Sequence, residues 1–316
     1  VSGQNEIAVD DLHVTFAGGV QAVAGISMRL AVGETLGLVG ESGSGKTTLA
    51  KTLVGLNRPT SGRVRLDGRE LSALHRSDRL WLRRRVQMIF QDPLSSLSPR
   101  LTVRRLLAEP IVIHGLDGKE RWPKVLGLMQ RLGLTEAQLG KYPHQISGGQ
   151  ARRVAIARAL VAEPSFLIAD EPTAGLDVSV QGELLNLLAD LQQGFSLGIL
   201  MVSHNLNVIG RVTDRVAIMY LGKIVEEGPT RTVFRGPRHP YTHALLSANP
   251  VLDPEHKRQK LVLSGEIPSP SRPPSGCRFH TRCPRAQERC RVDEPLLTEA
   301  NGGGRYACHF PLESAA

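Results

Sequence analysis

The first 276 residues of this chain contain no cysteine, and aromatic residues make up only 4% of the whole. The missing cysteines exclude a disulfide framework from most of the molecule, and the four that exist all fall near one end. No uninterrupted apolar run reaches the ~18 residues that a bilayer-spanning helix needs. The opening segment VSGQNEIAVDDLHVTF lacks the basic-then-apolar layout of a secretory leader. The expectation is therefore a cytoplasmic location, with any membrane contact made through a partner. Lysine is scarce beside arginine, and no internal repeat or low-complexity segment stands out.

What the chain does hold is 316 residues, 41% of them hydrophobic, with a formal charge of +9. This is enough for a substantial core and more than one domain. The positive balance fits a phosphate-bearing partner: nucleotide, nucleic acid or an anionic membrane face. The basic runs HRSDRLWLRRR and EHKRQK are short and lack the aromatic interleaving of a nucleic-acid stacking platform, and a plain solvated surface is the favoured reading of them.

The N-terminal third reads as strands: EIAVDDLHVTF, VQAVAGISMRL and SGRVRLDG group β-formers between Gly and Asp turns. ETLGLVG is a short apolar run leading into glycines, and KTTLAKTLVGL continues at helical spacing. From about Leu94 to Leu160 helical periodicity dominates, with RLTVRRLLAEPIVIHGL and WPKVLGLMQRLGL as amphipathic candidates. SFLIAD and LGILMVSH read as buried parallel strands, with the helix VQGELLNLLADLQQ as their crossover. DRVAIMYLGKIVEEG predicts a hairpin turned at Gly222. Composition shifts toward Pro, Arg and Cys after FRGPRHP, which puts a domain boundary near residue 237.

Within GESGSGKTT, Gly40, Gly45, Lys46 and Thr47 satisfy G-x-x-x-x-G-K-[ST] between a predicted strand and a predicted helix. Such a loop curls backbone N–H groups around phosphates, through Ser42, Gly43, Ser44 and Thr48 as well. The lysine reaches the β- and γ-phosphates and the Thr47 hydroxyl binds Mg²⁺. A phosphate loop needs a distant carboxylate for the metal. FLIADEP offers Asp170 at a strand end and Glu171 beside it, suited to polarising an attacking water as general base. An ordinary acidic turn is the alternative for that segment taken alone. His204 follows the next apolar strand and is placed to sense the γ-phosphate, unless it is a surface or capping residue. Gln91, in MIFQDP, ends another apolar run and can reach metal and water by hydrogen bonds.

ISGGQARRVAIARAL bares backbone at a helix start through Ser147, Gly148 and Gly149, with Gln150 next. It is either a second anion site or a serine N-cap with a flexible entry. One chain has no need of two phosphate-gripping loops so far apart. Two chains do, if each lends its second loop to the other's nucleotide.

GESGSGKTT, FQDP, ISGGQ, LIADEPTAGLD and VSHN, in this order and at about this spacing, resemble the ATP-binding-cassette ATPases over residues 6 to 236. RHPYTHALLSANP and PPSGCRFHTRCPRA narrow the resemblance to the ATPase subunits of oligopeptide, dipeptide and nickel importers, and FQDPLSSLSPR and ALLSANP are more similar to the second, F-type subunit than to its D-type sister.

The resemblance implies an α/β P-loop core with an N-terminal antiparallel β subdomain, a helical subdomain at about 92–160, and a small Cys-rich C-terminal extension over 238–316 following the 1–237 nucleotide-binding domain. It implies a head-to-tail pair of cassettes, here a heterodimer with a second ATPase. Each ATP lies between the Lys46 loop of one chain and the Ser147 loop of the other, with Asp177 in the loop crossing that interface. Phe16 is the expected adenine-stacking aromatic. The segment after Gln91 would grip one of two transmembrane permease subunits, fed by an extracytoplasmic substrate-binding protein. The chain would then sit peripherally on the cytoplasmic face of the inner membrane, hydrolysing ATP to drive peptide import. A related importer for nickel or another small solute is the alternative, and a nucleic-acid-directed ATPase a more distant one. Only about a hundred residues separate Gly45 from Ser147, with no heptads for the coiled coil of nucleic-acid relatives, so no nucleic-acid partner is expected. Two departures stand out: Ala151, where a polar or basic residue is frequent, and Gly175, where alanine is usual. Neither removes a catalytic group.

Cys277, Cys283, Cys290 and Cys308 are separated by five, six and seventeen residues, unlike the tight pairs of common zinc fingers. Four thiolates suit a tetrahedral zinc or a 4Fe–4S cluster, and the family resemblance favours the cluster. His280 and His309 are substitute ligands or surface residues, and free cysteines in a tail are the plain alternative. A regulatory module, with the cysteine knob sensing iron or redox state, is a further reading.

Overall fold

The computed structural model describes residues 5–75, 78–248, 263, 265–300 and 302–313. The EHKRQK run, the end of ALLSANP and two residues of HRSDRLWLRRR lie outside the described residues. The chain divides into two compact units. One gathers residues 1–30, 34–72 and 201–316; the other comprises 31–33 and 73–200.

In the first unit, strands Val20–Ala31, Glu6–Phe16, Ser61–Leu66 and Arg69–Glu70 form a sheet in that spatial order. Glu6–Phe16 and Ser61–Leu66 run antiparallel, with Ile7 opposite Leu66 and Val9 opposite Val64, and a bulge between Asp10 and His13. Ile7, Val9, Leu12 and Val14 are buried. Asp67 and Gly68 link the last two strands with φ of 50° and 79°, the left-handed pair that a two-residue hairpin loop requires.

A second sheet in this unit pairs Thr35–Val39 parallel with Arg215–Tyr220, which pairs antiparallel with Lys223–Pro229. All five residues of Thr35–Val39 are buried, as expected of a strand covered on both faces. The hairpin turns at Leu221 and Gly222, both at positive φ, where the sequence places it. Gly304–Tyr306 pairs with Lys223–Pro229, and Thr298–Ala300 continues outward. Residues near the C-terminus thereby belong to the same unit as the first strands.

The second unit is mostly helical: Asp78–Arg85, Pro93–Ser96, Val103–Ile113, Gly118–Arg131, Gly148–Leu160 and Val178–Phe195. Val86–Ile89 runs parallel to Phe166–Asp170, Val86 opposite Phe166 and Ile89 opposite Ala169. Both Phe166–Asp170 and Gly198–Ser203 are buried throughout, which explains why neither shows polar alternation. The chain returns to the first unit within the latter strand. Gly118–Arg131 starts four residues before the expected Trp122, because Asp117 caps it, accepting from the Lys119 N–H at 2.9 Å. Among the described residues no helix is long and apolar enough to cross a membrane.

Candidate functional site

The glycine loop joins the buried strand Thr35–Val39 to the helix Lys46–Leu53. Two glycines have no substitute there. A Cβ on Gly40 would stand 2.1 Å from the Met219 carbonyl oxygen, and one on Gly45, at φ 103°, would stand 1.9 Å from that of Ala22. The loop is thus pressed against the hairpin strand on one side and the Val20–Ala31 strand on the other. The Gly222 N–H donates to the Ser44 carbonyl at 2.9 Å, and the Ser44 N–H to the Glu41 carbonyl at 3.2 Å. Lys46 is buried, and its ammonium donates to the carbonyls of Gly40 and Glu41, each at 2.8 Å. It also donates to Ser44 Oγ at 3.3 Å. The lysine therefore braces the loop from inside. Ser42, Gly43 and Thr47 are exposed along the outer rim, with Thr48 half-buried behind them.

Phe16 ends its strand with 45% of its surface exposed, a large apolar ring open to a stacking partner. His204 lies just past Gly198–Ser203 and is exposed. Asn205 beside it caps the following helix, accepting from the N–H groups of Asn207 and Val208. His204 itself is thus not the cap.

In the second unit Asp170 is buried at the end of its strand, and Glu171 follows at φ 52°. A left-handed glutamate is uncommon, and such a conformation persists where surrounding structure dictates it. The Ala174 N–H donates to the Glu171 carbonyl at 3.0 Å, closing the turn. Arg152 donates to the Ala174 carbonyl at 3.1 Å, tying this loop to the Gly148–Leu160 helix. No motif or spacing in the sequence points to that link. Gly175 adopts φ 71° with open space at its Cβ position. Asp177 caps Val178–Phe195 through the Val180 N–H at 2.9 Å and accepts from Ser179 Oγ at 2.8 Å. The Val180 N–H and the Ser179 hydroxyl hold its carboxyl below the usual range. Gln91 is exposed just after Val86–Ile89.

Ser147 caps the Gly148–Leu160 helix in a reciprocal box. Its hydroxyl accepts from the Gln150 N–H at 3.2 Å, and the Gln150 side chain accepts from the Ser147 N–H at 3.2 Å. The capping alternative is therefore present. Yet nothing lies within 4 Å of a Cβ built on Gly148 or Gly149, so packing inside the chain does not account for either glycine. Ala151 is fully buried.

The four cysteines are free thiols that line one narrow recess together with Arg285, His280 and His309. The Cys277 N–H donates to the Cys290 carbonyl at 2.8 Å. Gly276, at φ 61°, permits that approach, since a Cβ there would lie 2.6 Å from the same carbonyl oxygen. Burial pushes the Cys277 thiol up to about 12 and Cys308 to about 11, and raises Cys283, with the neighbouring thiols adding to each shift. His280 Nδ1 and His309 Nε2 are hydrogen-bonded to the carbonyls of Cys277 and Asp293 at 2.9 and 3.0 Å. Among the described residues no three His, Cys, Asp or Glu side chains form a group that could hold a metal ion.

The strand–glycine loop–helix unit with its buried lysine defines a phosphate-loop nucleotide-binding protein. Residues 23–174 match the ABC transporter family, and residues 225–290 match the oligopeptide/dipeptide transporter C-terminal region. The chain is 47% identical to a probable peptide ABC transporter ATP-binding protein of Sinorhizobium fredii, over 94% of this chain and 84% of that one. It is 46% identical to the di/tripeptide transport ATP-binding protein DppF of Pseudomonas aeruginosa, over 92% and 90% respectively. Among solved structures, cbiO1 of Clostridium perfringens, part of the transporter complex cbiONQ, superposes with a TM-score of 0.66 at 32% identity, over 72% of this chain and 90% of that one. The cassette MJ0796, dimeric and bound to ADP and Pi, gives 0.64 at 28%, over 71% and 99%. The chain belongs to the ATP-binding proteins of ABC transporters. As a member of that family it is an ATPase.

Proposed function

We propose that this chain hydrolyses ATP to drive import of di- and oligopeptides through a membrane permease. The observation that carries the reading is the pairing of an ABC cassette at residues 23–174 with the oligopeptide/dipeptide C-terminal region at 225–290. The names of the relatives support the cargo class. In this reading Lys46 and the amides of residues 42–48 hold the phosphates, and Thr47, Gln91 and Asp170 hold Mg²⁺. Glu171 accepts a proton from the attacking water, and His204 senses the γ-phosphate. Phe16 stacks on adenine. Bound Mg²⁺ offsets phosphate charge, while the chain's own donors orient the nucleotide.

Ser147, Gly148, Gly149, Gln150 and Asp177 face a second cassette, a paired ATPase subunit, on the cytoplasmic face of the inner membrane. The open space over the two glycines and the dimeric state of MJ0796 support this. ATP joins the cassettes through charge-assisted hydrogen bonds from both, and these vanish once γ-phosphate leaves. The resulting opening and closing tilts the permease. The test is reconstitution with permease, second ATPase and binding protein in vesicles. Peptide-loaded binding protein is expected to raise ATP turnover several-fold over unloaded protein, a size consistent with coupling of ~1–3 kcal/mol. Nickel raising it while peptides do not would favour the other solute class.

The four-thiol recess at residues 277–308 is proposed to carry a 4Fe–4S cluster in the C-terminal extension. Four thiols line this recess, and a cluster takes one thiolate per iron. The Arg285 guanidinium on the wall suits its negative charge. Protein purified without oxygen should be brown, absorbing near ~400 nm, with about four irons per chain. Stoichiometric zinc without iron would reject the cluster.

A further inference from the structure

Glu41 is the second residue of the phosphate loop, and the phosphate-binding pattern leaves its position unspecified. Its side chain and its backbone amide are each held by a residue far along the chain. Its carboxylate receives two bonds from Arg282, Nη1 to Oε2 at 2.6 Å and Nη2 to Oε1 at 3.0 Å. Its backbone N–H donates to the Tyr241 hydroxyl at 2.9 Å. The Arg282 side chain is only 6% exposed. Its guanidinium lies 5.9 Å from the centre of the Tyr220 ring. The ring of Phe279 packs against Tyr220 at 5.2 Å and Tyr241 at 5.3 Å between centroids, and the two tyrosines stand 4.7 Å apart. Tyr241 and Phe279 are fully buried. Arg282 immediately precedes Cys283, whose thiol lines the four-cysteine recess, and Phe279 lines the same recess.

A bidentate arginine–carboxylate pair fixes direction as well as distance. Here it sets the side chain of Glu41, while the tyrosine hydroxyl sets its amide. The Glu41 carbonyl in turn accepts from Lys46 Nζ and from the Ser44 N–H. A shift of Glu41 would therefore move two groups expected to meet phosphate. We propose that Arg282 and Tyr241 are positioning residues that hold the phosphate loop in its nucleotide-receiving shape, so that the cysteine-bearing segment controls how tightly nucleotide is bound. This rests on the reading of residues 40–48 as the nucleotide site.

The test compares wild type with Arg282→Ala, Arg282→Lys, Tyr241→Phe, Glu41→Ala, the Glu41→Ala/Arg282→Ala double variant and Lys46→Ala. Equilibrium binding of a fluorescent ATP analogue is measured on the full chain, and KM and kcat for ATP on the assembled transporter. Arg282→Ala is expected to weaken binding about tenfold, equivalent to ~1.4 kcal/mol, with Tyr241→Phe losing about threefold, ~0.7 kcal/mol on the same scale. Arg282→Lys should fall between Arg282→Ala and wild type, since it keeps the charge without the fork. The double variant should be no weaker than Arg282→Ala alone, because both act through one pair. KM for ATP should rise with kcat nearly unchanged, and metal content should stay at the wild-type value. Should Arg282→Ala fail to fold, Tyr241→Phe, which removes one oxygen from an otherwise intact ring, decides alone. Wild-type affinity in Tyr241→Phe and Arg282→Ala, with binding abolished by Lys46→Ala, would overturn the positioning role only. Undiminished binding in Lys46→Ala would instead overturn the assignment of the loop, and this inference with it.

Discussion

Replacing Glu171 with Gln is expected to leave ATP affinity within about twofold of wild type and to lower turnover by ~10²–10⁴, the usual worth of a positioned general base. At 1.36 kcal/mol per decade this is ~3–5 kcal/mol of lost transition-state stabilisation. The glutamine keeps the size of the side chain and its place after the Phe166–Asp170 strand, but cannot take up a proton. The left-handed backbone at residue 171, φ 52°, fixes the direction in which any side chain there leaves the strand end, so the variant should present its amide where the carboxylate stood. The measurement is single-turnover hydrolysis by the assembled transporter beside equilibrium nucleotide binding. Normal turnover in E171Q would remove Glu171 from the role of base and leave the phosphate loop untouched.

The second large effect concerns Ser147. Ser147→Arg should reduce turnover of the assembled transporter by about 100-fold, comparable to removing a preorganised donor from a transition state. The nucleotide affinity of the isolated chain should change by less than about twofold. That contrast follows from the proposal that Ser147 and its glycines serve the neighbouring cassette's ATP, not this chain's own. Ser147 also caps its helix and is held by Gln150, so the substitution should cost about 1 kcal/mol of stability as well. The melting temperature should fall by only ~1–2 °C for a chain of this size. A loss of turnover accompanied by an equal loss of nucleotide binding in the isolated chain would place the serine on the chain's own nucleotide and contradict the shared-site reading.

The two substitutions together separate chemistry from assembly. E171Q should accumulate ATP-bound, closed pairs, because the contacts to γ-phosphate persist while nothing removes it. Ser147→Arg should prevent those pairs from closing. Size-exclusion measurements with ATP are expected to show more paired cassettes for the first variant and fewer for the second.

The sequence alone determined those features whose information is local. Gly40 and Gly45 can be read directly because the pattern requires backbone without Cβ there, and the structure shows the reason in the carbonyls of Met219 and Ala22 beside them. The strands Phe166–Asp170 and Gly198–Ser203 were legible as unbroken apolar runs, since burial on both faces leaves no place for polar residues. The hairpin at Gly222 was legible because few residues accept a left-handed turn. Periodicity was less reliable at helix ends. It began the Gly118–Arg131 helix too late, because the polar first turn carries no apolar pattern and the Asp117 cap decides the start.

Only the tertiary structure decided the long-range ties. Arg282 lies 241 residues from Glu41 and Tyr241 lies 200 from it, and neither pairing leaves a mark at any spacing that a linear pattern can detect. Arg152 holding the Ala174 carbonyl is of the same kind. The four cysteines stand between these cases: their residue type announced a ligand set, but spacings of five, six and seventeen residues gave no geometry. The fold brings their thiols to one recess because Gly276 lets the backbone of Cys277 reach that of Cys290. Side-chain chemistry and local backbone preference are properties of the sequence; which distant groups satisfy one another's hydrogen bonds and charges is set by how the chain packs.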